Sequence, residues 1–394
     1  MPQSLVIVGG GIIGSSTAYF ASKLAHERGI DLSIKLVEGS SIAAGASGKA
    51  GGLLAIDWHG PSTASLASLS YTLHAQLAHE LDGSKRWGYR TLDTLSISAD
   101  LSSSTAKSTR TRKLAHEDLF PWLNKDVLTS SSVLGSKDST AQVHPEHFTT
   151  AMVEEAQKRG VEVVYGTADG LKKRNDGGYK LSVTPRDGAA AADKLELEAD
   201  QIVVAAGPWT GRLLAQLGIQ SGAGRAKGIR GSRAHSVVLK TAEGRDLPAQ
   251  ALFTSIKEKR GHAEPEIYNR PDGTAYACGP TDDSDLPTHA SSVAIDRAAI
   301  SKLLQQTAQL SPDYLSTENG KHSAQVLKEQ ACYLPVGSGD PVLGMIEGRE
   351  GKGIYVASGH SCWGICNGPG SGLVMAELLL DGKASSADIS DLAP

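Results

Sequence analysis

Leu5-Val6-Ile7-Val8 runs directly into Gly9-Gly10-Gly11-Ile12-Ile13-Gly14, and Glu38 closes a second apolar run some two dozen residues later. A buried strand, a glycine turn, a helix and a second strand ending in an acid form the βαβ unit that holds a dinucleotide. Each part has a physical task. Gly9 lets the strand turn sharply. Gly11 lacks a Cβ, so the backbone can approach a pyrophosphate closely. Gly14 lets the helix pack tightly on the sheet, and the helix N-terminus offers free N–H groups to phosphate. Glu38 ends the strand 32–37 and can accept hydrogen bonds from ribose hydroxyls. A tight turn without a ligand is the competing interpretation, and the strand, helix and acid at these spacings argue against it.

With 394 residues, the chain is long enough for two domains or one large α/β unit. The chain is 40% hydrophobic and 21% charged, with a net charge of −4 and scattered lysines and arginines, which suggests no nucleic-acid partner. No apolar run approaches the roughly 20 residues that cross a bilayer, so no transmembrane segment is expected. The pattern starts at residue 4 with no room for a leader, and the expected location is the cytoplasm. Four cysteines (Cys278, Cys332, Cys362, Cys366) are too few for a disulfide scaffold and lack zinc-site spacing, so no metal is expected and the thiols are expected to be buried and structural.

Along the chain, 4–10 and 32–37 are expected as parallel strands around a helix over about 12–28. Leu66, Leu69, Leu73, Leu77 and Leu81 have helical spacing. Residues 89–98 alternate as a half-exposed strand, and 101–112 are Ser/Thr-rich and expected as a loop or short polar helix. A helix over 144–159 carries Pro145 in its first turn and Gly160 beyond its end. Strands are expected at 161–165, in a hairpin of 179–183 with 194–197 whose tip is 187–193, and at 201–206. Residues 234–285 have the short runs and turns of an antiparallel sheet. An amphipathic helix over 295–309, a strand over 353–357 and a helix from about Pro369 to Leu380 complete the pattern.

Three further segments stand out. Gly45-Ala46-Ser47-Gly48-Lys49-Ala50-Gly51-Gly52 follows the second strand. Val203-Val204-Ala205-Ala206-Gly207-Pro208-Trp209 is a strand entering a glycine turn. Ser358-Gly359-His360-Ser361-Cys362-Trp363-Gly364 precedes Pro369-Gly370-Ser371-Gly372. A simple nicotinamide dehydrogenase needs none of them, whereas a larger ligand lying across the sheet can use all three.

Taken in order, these segments resemble the FAD-dependent oxidoreductases of the D-amino-acid oxidase, glycine oxidase and sarcosine oxidase superfamily, over residues 4 to about 383. The resemblance is greatest to a fungal branch linked to endosome-to-Golgi recycling, which adds a possible peripheral endosomal association. It implies an α/β architecture: a Rossmann-like FAD-binding domain (1–60, 143–215, 330–394) and a discontinuous α+β substrate domain on an antiparallel sheet (61–142, 216–329). The flavin loops then comprise Gly39 beside Glu38, Ser47 through Gly52 with Leu53, Ala206, Gly207 and Trp209, and Gly359 through Gly364. Ser47 and Lys49 fall near the pyrophosphate and ring, Ala168 offers backbone groups to adenine, and Gly359 and His360 line the isoalloxazine. The last helix directs its N-terminus at flavin N1 and O2, where reduction places negative charge.

The same resemblance marks departures. The arginine that glycine and D-amino-acid oxidases carry before a proline falls on Leu334. The oxygen-activating lysine of sarcosine oxidases falls on Ala277, and a second lysine beside N1 falls on Trp363. A small α-amino acid substrate and fast oxidase behaviour are therefore disfavoured. Cys332 aligns with the cysteine that sarcosine oxidases join to flavin, so a covalent link and a plain buried thiol both stay open. Lys49, Asp57, His59, Arg270 and His360 are the catalytic candidates, with Arg270 and Tyr268 on the antiparallel part and Arg270 a replacement carboxylate fork. The expected activity is hydride transfer from a C–N bond of an amine or modified amino acid to FAD, with oxygen or another acceptor taking the electrons. The alternatives are a dehydrogenase passing electrons elsewhere and a flavin-binding protein of little turnover acting in trafficking or as a scaffold.

Overall fold

Strands whose residues are buried on both faces organise the first layer. The computed structural model describes residues 3–102, 114, 116–186, 194–219, 222–318 and 320–394. The strands of its two large sheets are β1 (Gln3–Val8), β2 (Leu32–Glu38), β3 (Asp93–Asp100), β4 (Leu128–Gly135), β5 (Glu162–Lys173), β6 (Tyr179–Pro185), β7 (Leu195–Ala199), β8 (Gln201–Val204), β9 (Arg230–Lys240), β10 (Gln250–Lys257), β11 (Glu266–Asn269), β12 (Thr274–Asp282), β13 (Gln325–Val336), β14 (Val342–Arg349) and β15 (Lys352–Ser358). The longer helices are α1 (Ile12–Glu27), α2 (Pro61–Glu80), α3 (Pro145–Gln157), α4 (Thr210–Gln216), α5 (Arg297–Leu310) and α6 (Gly364–Asp381).

The first sheet runs β7-β6-β5-β2-β1-β8-β15-β14, and the five strands from β5 to β15 are parallel. Ile7 stands beside Leu36 and Val203, fixing the register. Alternation then sorts the side chains. Leu5, Ile7, Leu36 and Val203 pack under α1, α2, α3 and α6, while Val6, Val8, Val37, Ile202 and Val204 pack against Leu214 of α4.

The second sheet runs β13-β9-β12-β11-β10-β3-β4. It is antiparallel except at β10 and β3, which pair in parallel. One face (Val237, Leu252, Ile256, Ile267, Ala277) packs on Ile300 and Leu303 of α5 and on Phe120 and Trp122. The other face carries Tyr268 and Tyr276, and it meets the glycine loops of the first layer: a Cβ on Gly51 would lie 2.3 Å from the Tyr268 ring.

The packing divides the chain differently from the expected segmentation at two places. Residues 61–80, expected with the substrate domain, form α2, whose Leu66, Leu73 and Leu77 belong to the core beneath α1. Residues 330–336, expected with the FAD-binding domain, continue β13, which pairs with β9 in the second sheet. α2 follows its buried leucines into that core, and β13 runs across the expected boundary at 330 and takes the adjacent residues with it. The expected hairpin tip at 187–193 and nearly all of the polar stretch 101–112 lie outside the described residues. Cys362 is exposed, unlike the buried thiols expected from composition, because it sits in a turn before α6 rather than within a helix.

The last helix also corrects the sequence reading. It starts at Gly364 rather than near Pro369, and Pro369 lies inside it. Proline removes an N–H and leaves the carbonyl four residues earlier without its helical partner. α2 makes good the loss. His74 Nε2 lies 2.9 Å from the Ile365 carbonyl, and Ser70 Oγ donates to Cys366 O at 2.6 Å while accepting from Gly370 N–H at 2.9 Å. Among the described residues no helix is long and apolar enough to cross a membrane, and no group of ligating side chains could hold a metal.

Complete burial pushes the His74 pKa down to about 4, so its ring is neutral and free to donate from Nε2. The folded pKa lies below the ordinary 6.5; stability from the neutral ring is whole above pH 6.5 and is lost as pH falls toward 4. His74→Leu keeps the bulk but leaves the Ile365 carbonyl unpartnered. Urea unfolding at pH 7.5 is expected to show a loss of about 1–3 kcal/mol, and the variant's stability is expected to fall less steeply below pH 6.5. An unchanged midpoint and an unchanged pH slope would contradict this role.

Candidate functional site

The turn after β1 is held by contact with β8. Gly9 has φ of 118°, and a Cβ there would sit 2.2 Å from Ala205 O. A Cβ on Gly14 would sit 1.9 Å from Gly9 O, so both positions need glycine for the helix to begin where it does. α1 has no side-chain cap from Gly11. Ser47 Oγ, from the next loop, instead accepts the Ile12 N–H at 2.8 Å. Gly11, Ile12 and Ile13 at this helix start line a cleft, where an anion is favoured.

Glu38 closes one side of that cleft. Its Oε2 accepts from Gly10 N–H at 2.7 Å and its Oε1 from Ser40 N–H at 2.6 Å. Burial raises its pKa, and those two hydrogen bonds oppose the rise. The same cavity is lined by Gly9, Gly11, Ile12, Ile13, Gly39, Ser47, Ala50, Ala168, Ala206, Gly207 and Trp209, then by His360, Ser361, Cys362 and Gly364 at its other end. Trp209 is anchored by Nε1 donating to Pro287 O at 2.7 Å.

A second helix N-terminus faces this cavity. Gly364 begins α6, preceded by Trp363 without a side-chain cap. Ser361 has φ of 49°, a strained value for a residue with a Cβ, in the turn that aims the helix. His360 is fully buried. Its Nε2 pairs with Ser371 Oγ at 2.8 Å, its Nδ1 has no partner, and burial lowers its pKa to about 3.

The remaining expected site residues lie around the cavity without lining it. Gly48 packs on Ala43 O, Gly52 accepts from Val143 N–H, and Leu53 pairs with Gln142 in a short sheet. Gly51 touches Tyr268, and Gly359 abuts Ser338. Lys49 Nζ donates to Ala331 O at 3.1 Å, and burial lowers its pKa. Cys332 is buried, which pushes its thiol up to about 11 despite the Lys49 charge. Asp57 is exposed at a bend. The His59 ring lies 4.3 Å from that of Trp363; both its nitrogens lack partners, and burial lowers its pKa.

Arg270 does not form the expected open fork. It is buried, with Nη2 donating to Ala50 O at 3.2 Å, Nη1 3.4 Å from His144 Nε2, and its guanidinium 5.3 Å from the Tyr276 ring centre. It braces the loop of Ala50. Two features escaped the sequence reading. Thr288 and His289 enter the cavity beside Glu38 from a loop remote in sequence, with no motif to mark them. Glu266 sits in β11 beside Tyr268, whose hydroxyl donates to its Oε2. A single acid in an alternating strand gives no signal.

The FAD dependent oxidoreductase family matches residues 4–378 of the chain. A Schizosaccharomyces pombe protein named as an oxidoreductase is 38% identical over 422 residues, covering 100% of this chain and 98% of its own. The Saccharomyces cerevisiae protein TDA3, also named as an oxidoreductase, is 30% identical over 514 residues, covering 100% and 94%. Glycine oxidase from Bacillus cereus is similar in structure, with a TM-score of 0.72, 21% identity and coverage of 100% and 98%.

Glu38→Ala removes the acceptor of the Gly10 and Ser40 N–H groups and a carboxylate that lines the cavity. FAD titration of the apoprotein is expected to show affinity weakened about 10- to 100-fold, the equivalent of losing one charge-assisted hydrogen bond. Unchanged affinity would contradict the placement of the nucleotide against β2.

Proposed function

This chain belongs to the FAD dependent oxidoreductase family, and from that premise we propose that it oxidises a C–N bond of an amine or modified amino acid. The observation carrying the proposal is the convergence of two helix N-termini on one cavity: that of α1, capped only by Ser47 from the next loop, and that of α6, without a side-chain cap.

The residues present suit FAD. The N–H groups of the α1 start and the Ser47 hydroxyl would hold the pyrophosphate, Glu38 the ribose, and Ala168 the adenine. The turn from His360 to Gly364 would hold the ring, and the partnerless His360 Nδ1 gives that end a polar atom in need of a ligand. When bound, the flavin supplies a two-electron acceptor. The protein's part is to orient the substrate carbon and exclude water. The α6 N-terminus, with about half a positive charge, favours negative charge arising beside it. His360 contributes shape and a neutral ring in that setting, since burial keeps it unprotonated near pH 7. The high thiol pKa of Cys332 disfavours the thiolate that a covalent link needs, and the reading is of dissociable FAD.

The reading places the enzyme in the cytoplasm, with oxygen or another acceptor completing turnover. The test is anaerobic bleaching of the bound flavin by a panel of amines, polyamines and N-substituted amino acids. At least one compound is expected to remove the yellow colour, and the rate of its return in air separates oxidase from dehydrogenase. Bound FAD that nothing bleaches would overturn the reading and favour a flavin-holding protein in trafficking or as a scaffold. After acid precipitation the colour is expected in the supernatant; a yellow pellet would instead support a link at Cys332.

A further inference from the structure

The face of the second sheet turned toward the glycine loops carries a carboxylate without a counter-charge. Glu266 accepts from the Tyr268 hydroxyl at Oε2 and is approached by Cys278 Sγ at 3.7 Å. Burial raises its pKa, and no cation figures among the groups acting on it. Glu266 is half-buried, and partial loss of water with hydroxyl and thiol partners alone leaves its carboxylate short of compensation.

Aromatic rings surround the approach to it. Trp58 meets Phe253 at 5.5 Å and Trp363 at 6.4 Å between ring centres, both edge to face. Phe253 meets Tyr268 at 6.2 Å, also edge to face, and stands opposite Glu266 in strand register. Trp58, Phe253 and Trp363 are half-buried, so ring surface remains open to a ligand. Cys362, next to Trp363 in the turn before α6, lines the cavity and so connects this cluster to it.

Ring faces carry negative electrostatic potential and attract cations, above all ammonium groups bearing alkyl substituents. A carboxylate among such rings deepens the preference. An anionic substrate group meets the opposite situation. It would face the Glu266 carboxylate and the negative ring faces, while Arg270 donates to Ala50 O beside His144 and Lys49 donates to Ala331 O. We propose that Trp58, Phe253, Tyr268, Trp363 and Glu266 form a subsite for an alkyl-substituted ammonium group, selecting amines without a neighbouring carboxylate.

This deepens the reading of C–N oxidation and rests on it for the chemical step. A protonated amine docks against Glu266, and its N–H proton passes to that carboxylate. With FAD bound as two-electron acceptor, the freed nitrogen lone pair would form the C=N bond as the α-carbon gave up its hydrogen with both bonding electrons. The product iminium is then hydrolysed by water to a carbonyl compound and the remaining amine. A quaternary ammonium ion has no N–H to give up and no lone pair, so it binds without reacting.

That inertness separates binding from turnover. Calorimetric titration of the FAD-loaded protein with tetramethylammonium is expected to show affinity at least tenfold above that for tert-butanol, its uncharged counterpart, and above that for glycine. Tryptophan fluorescence is expected to change with the same midpoint. Glu266→Gln, which keeps the shape and the Tyr268 contact, is expected to cost tenfold or more in tetramethylammonium affinity with FAD retained. Trp58→Leu is expected to weaken the same ligand. Equal binding of the cation and the alcohol, tighter binding of glycine, or an undiminished Glu266→Gln variant would overturn the subsite. If the cation binds as expected while no amine bleaches the flavin, the subsite stands and the oxidation reading falls. If amines bleach the flavin but the cation does not bind, the reverse holds.

Discussion

Close packing of α1 against α6 is the contact on which the site depends. A Cβ on Gly372 would lie 2.5 Å from Ser16, and one on Gly368 would lie 2.5 Å from Ile12 Cγ1. Glycine at both positions therefore brings the two helices closer than ordinary side chains permit. Their N-termini consequently open on one cavity instead of two. Each end carries about half a positive charge, and like partial charges so placed are relieved by a shared anionic ligand. A pyrophosphate at one end and a reduced ring at the other satisfy that requirement.

The same helix shows how a local defect is absorbed by tertiary structure. Pro369 alone would be expected to end or begin a helix, yet α6 continues through it from Gly364. The continuation relies on α2, whose Ser70 and His74 supply the missing partners. α2 thereby acts as a brace for the end of α6 that faces the cavity. Its place in the core of the first layer comes from Leu66, Leu73 and Leu77, although it lies in a chain segment that otherwise leads into the second sheet.

What could be read in the sequence follows the range of the interactions concerned. Local signals were sufficient for the βαβ unit, since Gly9, Gly14 and Glu38 act on neighbours within that unit and on the adjoining β8. The antiparallel character of 234–285 was likewise legible from its short alternating runs. The start of α6 was not, because the hydrogen bonds replacing those lost at Pro369 come from residues about 300 positions away. Arg270 was legible as a residue of the antiparallel part, but not as a brace for Ala50, which depends on how a loop and a strand meet. Glu266 gave no signal at all. Its significance comes from Trp58, Phe253 and Trp363, three rings contributed by a loop, a strand and a turn that only the fold brings together.

A crystal structure of the FAD-loaded protein tests the central claim most directly. The account predicts pyrophosphate density over the start of α1 beside Ser47, with the isoalloxazine between the turn 360–364 and the aromatic face of the second sheet. A nucleotide bound at Gly9 to Gly14 with its ring turned away from α6 would contradict the convergence of the two helix ends on a single cofactor.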